Sequence, residues 1–179
     1  MNLAGWILRL AGWRVEITVS ECSKCVICVA PHTSNWDFIL GKLAYWSVKR
    51  KANFLMKESW FVWPLGYFFR ALGGIPVPRK RGSSLTEHLV KLMRERSQMN
   101  LAVTPEGTRS LKYKRRTGFL HIAYEANVPI ELGKIDFAKK LITITDTFIP
   151  TGEVEADLKA VKQYYSDATA LYPHKFTTQ

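Results

Sequence analysis

The chain has 179 residues, the size of one ordinary domain, and its 47% apolar and 23% charged residues exclude both a disordered chain and a small disulfide-stapled one. Its charge is concentrated, because residues 42–116 hold 17 basic and 4 acidic residues, a net charge of +13. The positive electrostatic potential of such a segment favours a polyanionic partner, either nucleic acid or an anionic membrane surface, and does not distinguish between the two.

Short β-branched runs alternate with helical patterns along the chain. After a possible interfacial amphipathic segment at 1–13, the predicted elements in chain order are strand 14–19, strand 26–30, helix 34–48, strand 53–56, helix 60–72, strand 75–77, helix 85–97, strand 100–104, helix 118–126, strand 129–132, strand 141–148 and helix 154–170. The helix at 85–97 has the clearest pattern, because Ser84 and Glu87 form a capping box ahead of an apolar face. The alternation predicts one α/β domain over residues 1–179, with three layers and a mostly parallel or mixed sheet between helices.

No apolar stretch is long enough to span a bilayer. The longest, residues 59–69, has 11 residues, whereas a spanning helix needs roughly 20. We therefore expect no transmembrane segment. From the basic charge of residues 42–116 we expect a peripheral protein, on the cytoplasmic face of a membrane.

The three cysteines, Cys22, Cys25 and Cys28, are odd in number, and neither a second cysteine pair nor a neighbouring histidine completes a zinc set. Cys28 lies within an apolar run, where a buried free thiol is typical. The sequence thus predicts no metal site and favours a reducing compartment.

In α/β sheets, functional residues collect in the loops that follow the carboxyl ends of strands. Two loops qualify here, residues 31–37 after the strand at 26–30 and residues 105–110 after the strand at 100–104.

The first loop contains a histidine and a carboxylate that the helix start can bring together. If Ser34 is the N-cap, Asp37 is the third helical residue and His32 lies two residues before the cap. Asp37 could then fix the tautomer of His32, leaving one ring nitrogen to take a proton from a hydroxyl. Because Ser34 and Asp37 also form an ordinary capping pattern, the spacing leaves catalysis and simple capping both open. Without a serine or cysteine nucleophile elbow, direct transfer fits better than a covalent intermediate.

The second loop predicts a site for a phosphate-sized anion. Gly107 permits close backbone approach, Thr108 adds a hydroxyl, and Arg109 adds a guanidinium fork. Glu106 is unexpected beside an anion and suggests a specific hydrogen bond. The alternative is a turn with a structural contact between Arg109 and Glu106.

Both loops resemble motifs of one family. His32-Thr-Ser-Asn-Trp-Asp37 resembles the HxxxxD motif of the glycerolipid acyltransferases, and Pro105-Glu-Gly-Thr-Arg-Ser110 resembles their PEGTRS motif. Between them, Gly74-Ile-Pro-Val-Pro-Arg79 resembles an intermediate block in which Arg79 corresponds to a second phosphate-binding arginine. The resemblance covers residues 24–150.

This resemblance implies transfer of a fatty acyl group from acyl-CoA or acyl-carrier protein to a hydroxyl of a lysophospholipid or a glycerol phosphate-type acceptor, in phospholipid biosynthesis. His32 would be the base and Asp37 would orient it, with no metal or other cofactor required. The acceptor would be held by Arg79, Glu106, Gly107, Thr108 and Arg109. Pro31 and Glu131 depart from the family pattern and leave room for an acceptor whose head group is not a phosphate monoester.

Two other interpretations remain. The aromatic run at 60–69 is either a core helix or an apolar rim that admits acyl chains and dips into lipid. The basic segment could belong to a non-catalytic protein that binds anionic lipid or nucleic acid, although no aromatic RNA-binding motif is present and we expect no nucleic-acid partner. A hydrolase using the same histidine with water is a third possibility.

Overall fold

The computed structural model describes residues 2–77, 85–106 and 116–177. The strands are β1 (Arg14–Ile17), β2 (Lys24–Ala30), β3 (Asn53–Lys57), β4 (Gly74–Val77), β5 (Met99–Val103), β6 (Ile130–Asp136) and β7 (Leu141–Phe148). The α-helices are α1 (Leu3–Leu10), α2 (Asn35–Ser47), α3 (Leu65–Ala71), α4 (Leu85–Glu95), α5 (Gly118–Ala126) and α6 (Val154–Tyr164), with short 3-10 helices at Glu58–Trp60 and Pro173–Lys175.

The seven strands form one sheet in the order β1-β7-β6-β2-β5-β3-β4. Strands β2 to β6 run parallel to one another, while β7 is antiparallel to β6 and β1 is parallel to β7. The sheet is therefore mixed and mostly parallel, as the alternation of elements predicts.

Helices cover both faces of the sheet. On one face, α1 and α2 pack through Leu8, Leu40 and Ala44 against β6 and β7. On the other face, α4, α5 and α6 enclose the largest apolar cluster, which includes Leu89, Leu120 and other buried side chains. The strand β2 is buried on both faces because it lies at the centre of these layers. This confirms the prediction of a three-layer α/β domain.

The predicted helix at 60–72 is shorter than its apolar pattern indicates. Helix α3 begins only at Leu65, after the 3-10 helix at Glu58–Trp60. Pro64 explains the break, because it has no N–H to donate and disfavours helical backbone in the preceding residue.

Other boundaries also differ. Helix α6 ends at Tyr164 instead of residue 170, and the Ser166 hydroxyl donates to the Gln163 carbonyl just beyond that end. Strand β6 continues to Asp136, because it pairs along its length with both β2 and β7. The capping residue Ser84 lies outside the described residues.

Among the described residues, no helix is both long and apolar enough to cross a membrane. Helix α1, which falls in the predicted interfacial segment, spans only eight residues; it buries Ala4 and Leu8, and Leu8 packs with Leu40 and Ala44 of α2.

Candidate active site

His32 and Asp37 lie together at the carboxyl end of the central strand β2. The chain leaves β2 at Ala30, passes through His32, and enters α2 at Asn35. The neighbouring strand β5 ends at Val103 and leads to Glu106 at the same edge of the sheet. The topology therefore brings the two predicted loops side by side, as expected for adjacent parallel strands.

The local structure of this loop depends on the start of α2. The Ser34 side chain accepts a hydrogen bond from the Trp36 N–H at 3.1 Å, and Asp37 completes the capping box. Asp37 Oδ2 accepts hydrogen bonds from the N–H groups of Thr33 (2.6 Å) and Ser34 (2.7 Å). These bonds satisfy amides that an uncapped helix start would leave unpaired.

The same carboxylate oxygen faces the histidine. His32 Nδ1 lies 3.3 Å from Asp37 Oδ2, and the side chains are 19% and 1% exposed respectively. The buried carboxylate favours a proton on Nδ1, which leaves Nε2 as the acceptor nitrogen. Nε2 makes no hydrogen bond to any residue that the structure describes. The pair thus has one buried, fixed end and one nitrogen available to a hydroxyl.

Glu106 is buried at the end of β5. Behind it, the Tyr165 hydroxyl donates a 2.5 Å hydrogen bond to the Cys28 carbonyl of β2. Burial, followed by the influence of Cys28, raises the pKa of this hydroxyl, and the Glu106 carboxylate adds to the shift. Tyr165, just after α6, is thus bonded to β2 two residues before that strand ends at Ala30.

Of the other predicted site residues, Arg79, Gly107, Thr108 and Arg109 lie outside the described residues. Arg79 comes two positions after the end of β4, and β4 is separated from β5 by β3. At the usual strand spacing, the ends of β4 and β5 are about 10 Å apart.

Glu131 does not belong to this site. It pairs with Ile27, three residues and about 10 Å before the end of β2. Its buried carboxylate accepts a hydrogen bond from the Tyr45 hydroxyl of α2. Burial and then Glu131 raise the pKa of Cys25, so the cluster holds that thiol protonated. Glu131 is therefore a buried core residue, bonded to α2 and remote from the end of β2.

The cysteines are free thiols, and those of β2 are buried. Cys25 and Cys28 belong to clusters on opposite faces of the sheet, because strand residues three apart point to opposite sides. Within the part of the chain that the structure describes, no group of three or more His, Cys, Asp or Glu side chains could hold a metal ion.

Exposed apolar side chains follow the loop that carries His32. Trp36 and Ile39 of α2 are exposed, and Trp63 before α3 is 82% exposed. The Phe38 ring packs edge-on to Phe54 of β3 at 4.8 Å, which joins the start of α2 to the strand that leads into this aromatic run. Most apolar side chains of residues 60–69 are exposed, so the interpretation of this run as a core helix is wrong for most of it. The exposed members are Trp60, Val62, Trp63, Leu65, Tyr67 and Phe68.

Two features of the site region were not found from the sequence. The N–H of Tyr172 donates to Thr33 Oγ1 at 3.3 Å, across 139 positions of chain. Lys42 of α2 donates to the carbonyls of Ala52 (3.0 Å) and Leu72 (2.7 Å). Neither contact has a local pattern, because each joins segments that are remote in sequence.

Comparison with known proteins agrees with these observations. The family model described as Acyltransferase matches residues 3–131. No protein with a curated description matches the chain. The fold is similar to that of the crystal structure of the 1-acyl-sn-glycerophosphate (LPA) acyltransferase, PlsC, from Thermotoga maritima, with a TM-score of 0.62, 19% sequence identity, and coverage of 90% of this chain and 73% of that one. The resemblance that the two loop motifs indicate is thereby confirmed, and the chain belongs to the acyltransferase family.

Proposed function

We propose that this protein transfers a fatty acyl group from an acyl thioester to a hydroxyl of a lysophospholipid or glycerol phosphate-type acceptor. The observation that carries the proposal is the 3.3 Å approach of His32 Nδ1 to the buried Asp37 carboxylate, beside Glu106 of the PEGTRS loop. The family match and the fold of the Thermotoga maritima enzyme support the reaction class.

In the proposed reaction, His32 Nε2 takes the proton of the acceptor hydroxyl as its oxygen attacks the thioester carbonyl carbon. Asp37 holds the imidazole by Nδ1 and stabilises the imidazolium that forms. When the tetrahedral intermediate collapses, the carbon–sulfur bond breaks and the leaving thiolate takes the proton back from Nε2. The acceptor gains an ester, the donor leaves as a thiol, and His32 returns to its starting state.

We assign acceptor binding to the loops that follow β4 and β5. Arg79 and Arg109 supply guanidinium groups suited to a phosphate, and Gly107 and Thr108 supply backbone amides and a hydroxyl. Glu106 would accept a hydrogen bond from a glycerol hydroxyl, because a carboxylate beside an anion site is suited to a donor group. This chemistry uses acyl-CoA or acyl-carrier protein as donor and no metal.

We further propose that the protein works on a membrane surface as a peripheral protein. Exposed apolar side chains lie on α2, which follows the His32 loop, and before α3, and α1 adds Leu3, Trp6 and Leu10. The basic charge between residues 42 and 116 would attract anionic lipid, at about 1 kcal/mol for each side chain near the surface. The product of the proposed reaction carries an acyl chain, and such a surface would bring a lysophospholipid acceptor to His32.

The function is tested by incubating the purified protein with a panel of lysolipids and polyol phosphates, offering acyl-CoA and acyl-carrier protein in turn, with products identified by mass spectrometry. We expect an ester product with the wild type and at least about 100-fold slower transfer with His32→Ala. Equal transfer by both proteins would exclude His32 as the base. Product acid without ester would favour the hydrolase, and lipid binding without any turnover would favour the non-catalytic binder.

A further inference from the structure

The C-terminal segment, residues 165–177, lies along the edge of the sheet that carries His32. The Thr169 carbonyl accepts a hydrogen bond from the Phe137 N–H at 2.9 Å, just past the end of β6. Three positions later, the Tyr172 N–H donates to Thr33 Oγ1 just past the end of β2. Since β6 and β2 are neighbours, the segment passes from the end of one strand to the end of the next.

Packing and charge hold this segment in place. Ala170 is buried, and Phe176 packs against the apolar cluster beneath α4, α5 and α6. Lys134 Nζ of β6 lies 2.5 Å from Asp167 Oδ1. At its start, the Tyr165 hydroxyl is bonded to the Cys28 carbonyl. The segment is thus attached to the core on both sides of its contact with Thr33.

Thr33 joins this segment to the catalytic pair. Its hydroxyl oxygen accepts from the Tyr172 N–H, and its own N–H donates to Asp37 Oδ2 at 2.6 Å. That oxygen lies 3.3 Å from His32 Nδ1. Thr33 is 3% exposed, so its hydroxyl lies within the fold and the Tyr172 N–H reaches it from the half-buried segment.

We propose that Thr33 is a positioning residue through which the C-terminal segment fixes the loop carrying His32. The inference rests on the proposed function, in which His32 is the base. The Tyr172–Thr33 hydrogen bond holds the loop from one side and Asp37 holds it from the other. Together they keep the imidazole with Nδ1 toward Asp37 and Nε2 toward the acceptor. Catalysis by a general base is sensitive to this alignment, because the proton and the attacking oxygen must be in reach together.

The test compares Thr33→Val with Thr33→Ser. Valine keeps the branched shape and the N–H to Asp37 but removes the hydroxyl, while serine keeps the hydroxyl. With lysophosphatidate as acceptor and a long-chain acyl-CoA as donor, Thr33→Val should lower kcat by about three- to tenfold, the scale of one hydrogen bond, with both KM values within about twofold of wild type. Thr33→Ser should have a kcat close to that of the wild type. Ser166→Ala is the matched control, because it removes a hydroxyl of the same segment whose partner among the described residues is the Gln163 carbonyl.

A second measurement does not depend on turnover. The ¹⁵N chemical shifts of the His32 imidazole should report one dominant tautomer, protonated at Nδ1, in the wild type and in Thr33→Ser. In Thr33→Val the two nitrogen signals should move toward each other, as expected for mixed tautomers. This measurement separates the positioning role of Thr33 from the proposed function, since it tests how His32 is held even if the wild type does not acylate lysophosphatidate.

If Thr33→Val does not fold, the bond can be removed from its other side. Replacing Tyr172 by its α-hydroxy acid analogue turns the N–H into an ester oxygen and leaves Thr33 and the tyrosine ring intact. We expect the same loss of kcat and the same change in the imidazole spectrum. The proposal would be overturned if Thr33→Val or the Tyr172 ester analogue had the wild-type kcat and imidazole spectrum. It would also be overturned if Thr33→Ser lost as much kcat as Thr33→Val.

Discussion

The Asp37 carboxylate caps a helix and also contacts a histidine, and a single substitution can separate these two roles. It caps α2 by accepting the N–H groups of Thr33 and Ser34, and it faces His32 Nδ1. Asp37→Asn retains an oxygen for the cap but loses the negative charge that stabilises an imidazolium. We expect kcat to fall at least about 100-fold, while circular dichroism shows the native fold.

The matched control for Asp37 is Asp157, which accepts hydrogen bonds from Thr151 and Gly152 before α6 and is equally buried. Asp157→Asn should change the free energy of unfolding to a similar extent and leave kcat near the wild-type value. Equal kcat losses in the two variants would mean that Asp37 acts only through stability.

Arg109 is predicted to bind the acceptor through the shape of its guanidinium group. Because lysine offers a point charge where arginine offers a planar fork, Arg109→Lys should raise the acceptor KM much more than the donor KM, although charge is conserved. Truncating the side chain should cost about 1.5–3 kcal/mol of acceptor binding. Steady-state kinetics at saturating donor measures this.

Arg94→Lys serves as the control for Arg109, since Arg94 pairs with Glu125 on the surface between α4 and α5. It should leave both KM values unchanged. If Arg109→Lys raises only the donor KM, the guanidinium contacts the acyl carrier and the assignment of this pocket is reversed.

At the scale of elements, Gly73 connects α3 to β4 in a conformation that other residues rarely adopt. Its φ is +93°, and a Cβ built on it would lie 2.6 Å from the Ala52 carbonyl oxygen. Gly73→Ala should therefore lower the free energy of unfolding by about 1–3 kcal/mol, measured by urea denaturation. Gly41→Ala in α2 is the control, because its Cβ would meet nothing within 4 Å and alanine favours a helix. A Gly73→Ala protein as stable as Gly41→Ala would contradict the described turn.

Lys42 joins α2 to the ends of two other segments by donating to the carbonyls of Ala52 and Leu72. Its ammonium also lies near the Trp46 and Phe54 rings, 5.1 and 5.3 Å from their centroids. Burial lowers the pKa of Lys42 from 10.5 to about 8. The charge is thus costly to bury but is held by two carbonyl oxygens.

This lowered pKa predicts how stability changes with pH. Between about pH 8 and 10.5, the unfolded chain keeps a proton on Lys42 that the folded protein has released, so the free energy of unfolding rises with pH through this group. Below pH 8 both states are protonated and the full cost of burial is present. Urea denaturation at pH 7.5 and 10 should therefore show the wild type gaining stability relative to Lys42→Met as pH rises. A constant difference between the two proteins would show that Lys42 does not titrate in this range.

For the whole molecule, the charge distribution and the exposed apolar side chains predict reversible binding to anionic vesicles. Flotation across a salt series should show release as salt screens the basic residues. Trp63→Ser should weaken binding, because this side chain is 82% exposed. The control is Ile149→Ser, which removes a 66% exposed side chain just beyond the end of β7, at the opposite edge of the sheet. Equal, salt-independent binding to neutral and anionic vesicles would assign docking to the aromatic side chains alone.

Local patterns were sufficient for most elements and for the conformation of the loop that carries His32. Helix α5 matches its predicted bounds exactly as residues 118–126, and Ser34 and Asp37 form the capping box that their spacing predicts. These features depend on hydrogen bonds and apolar periodicity within a few residues, which the order of side chains along the chain specifies directly. For the same reason His32 and Asp37, five positions apart, could be paired before the fold was known.

Contacts between remote segments needed the folded chain. The position of β7 between β1 and β6, the burial of Glu131 against Tyr45, and the contact of Tyr172 with Thr33 follow from how whole elements pack. The exposure of Trp63 also needed the folded chain, since an apolar run has the same sequence pattern whether or not another layer covers it. The local sequence determines which secondary structure each segment favours. Which segments pack together, and which side chains are buried, depends on how all segments compete for one core, and no local pattern predicts that outcome.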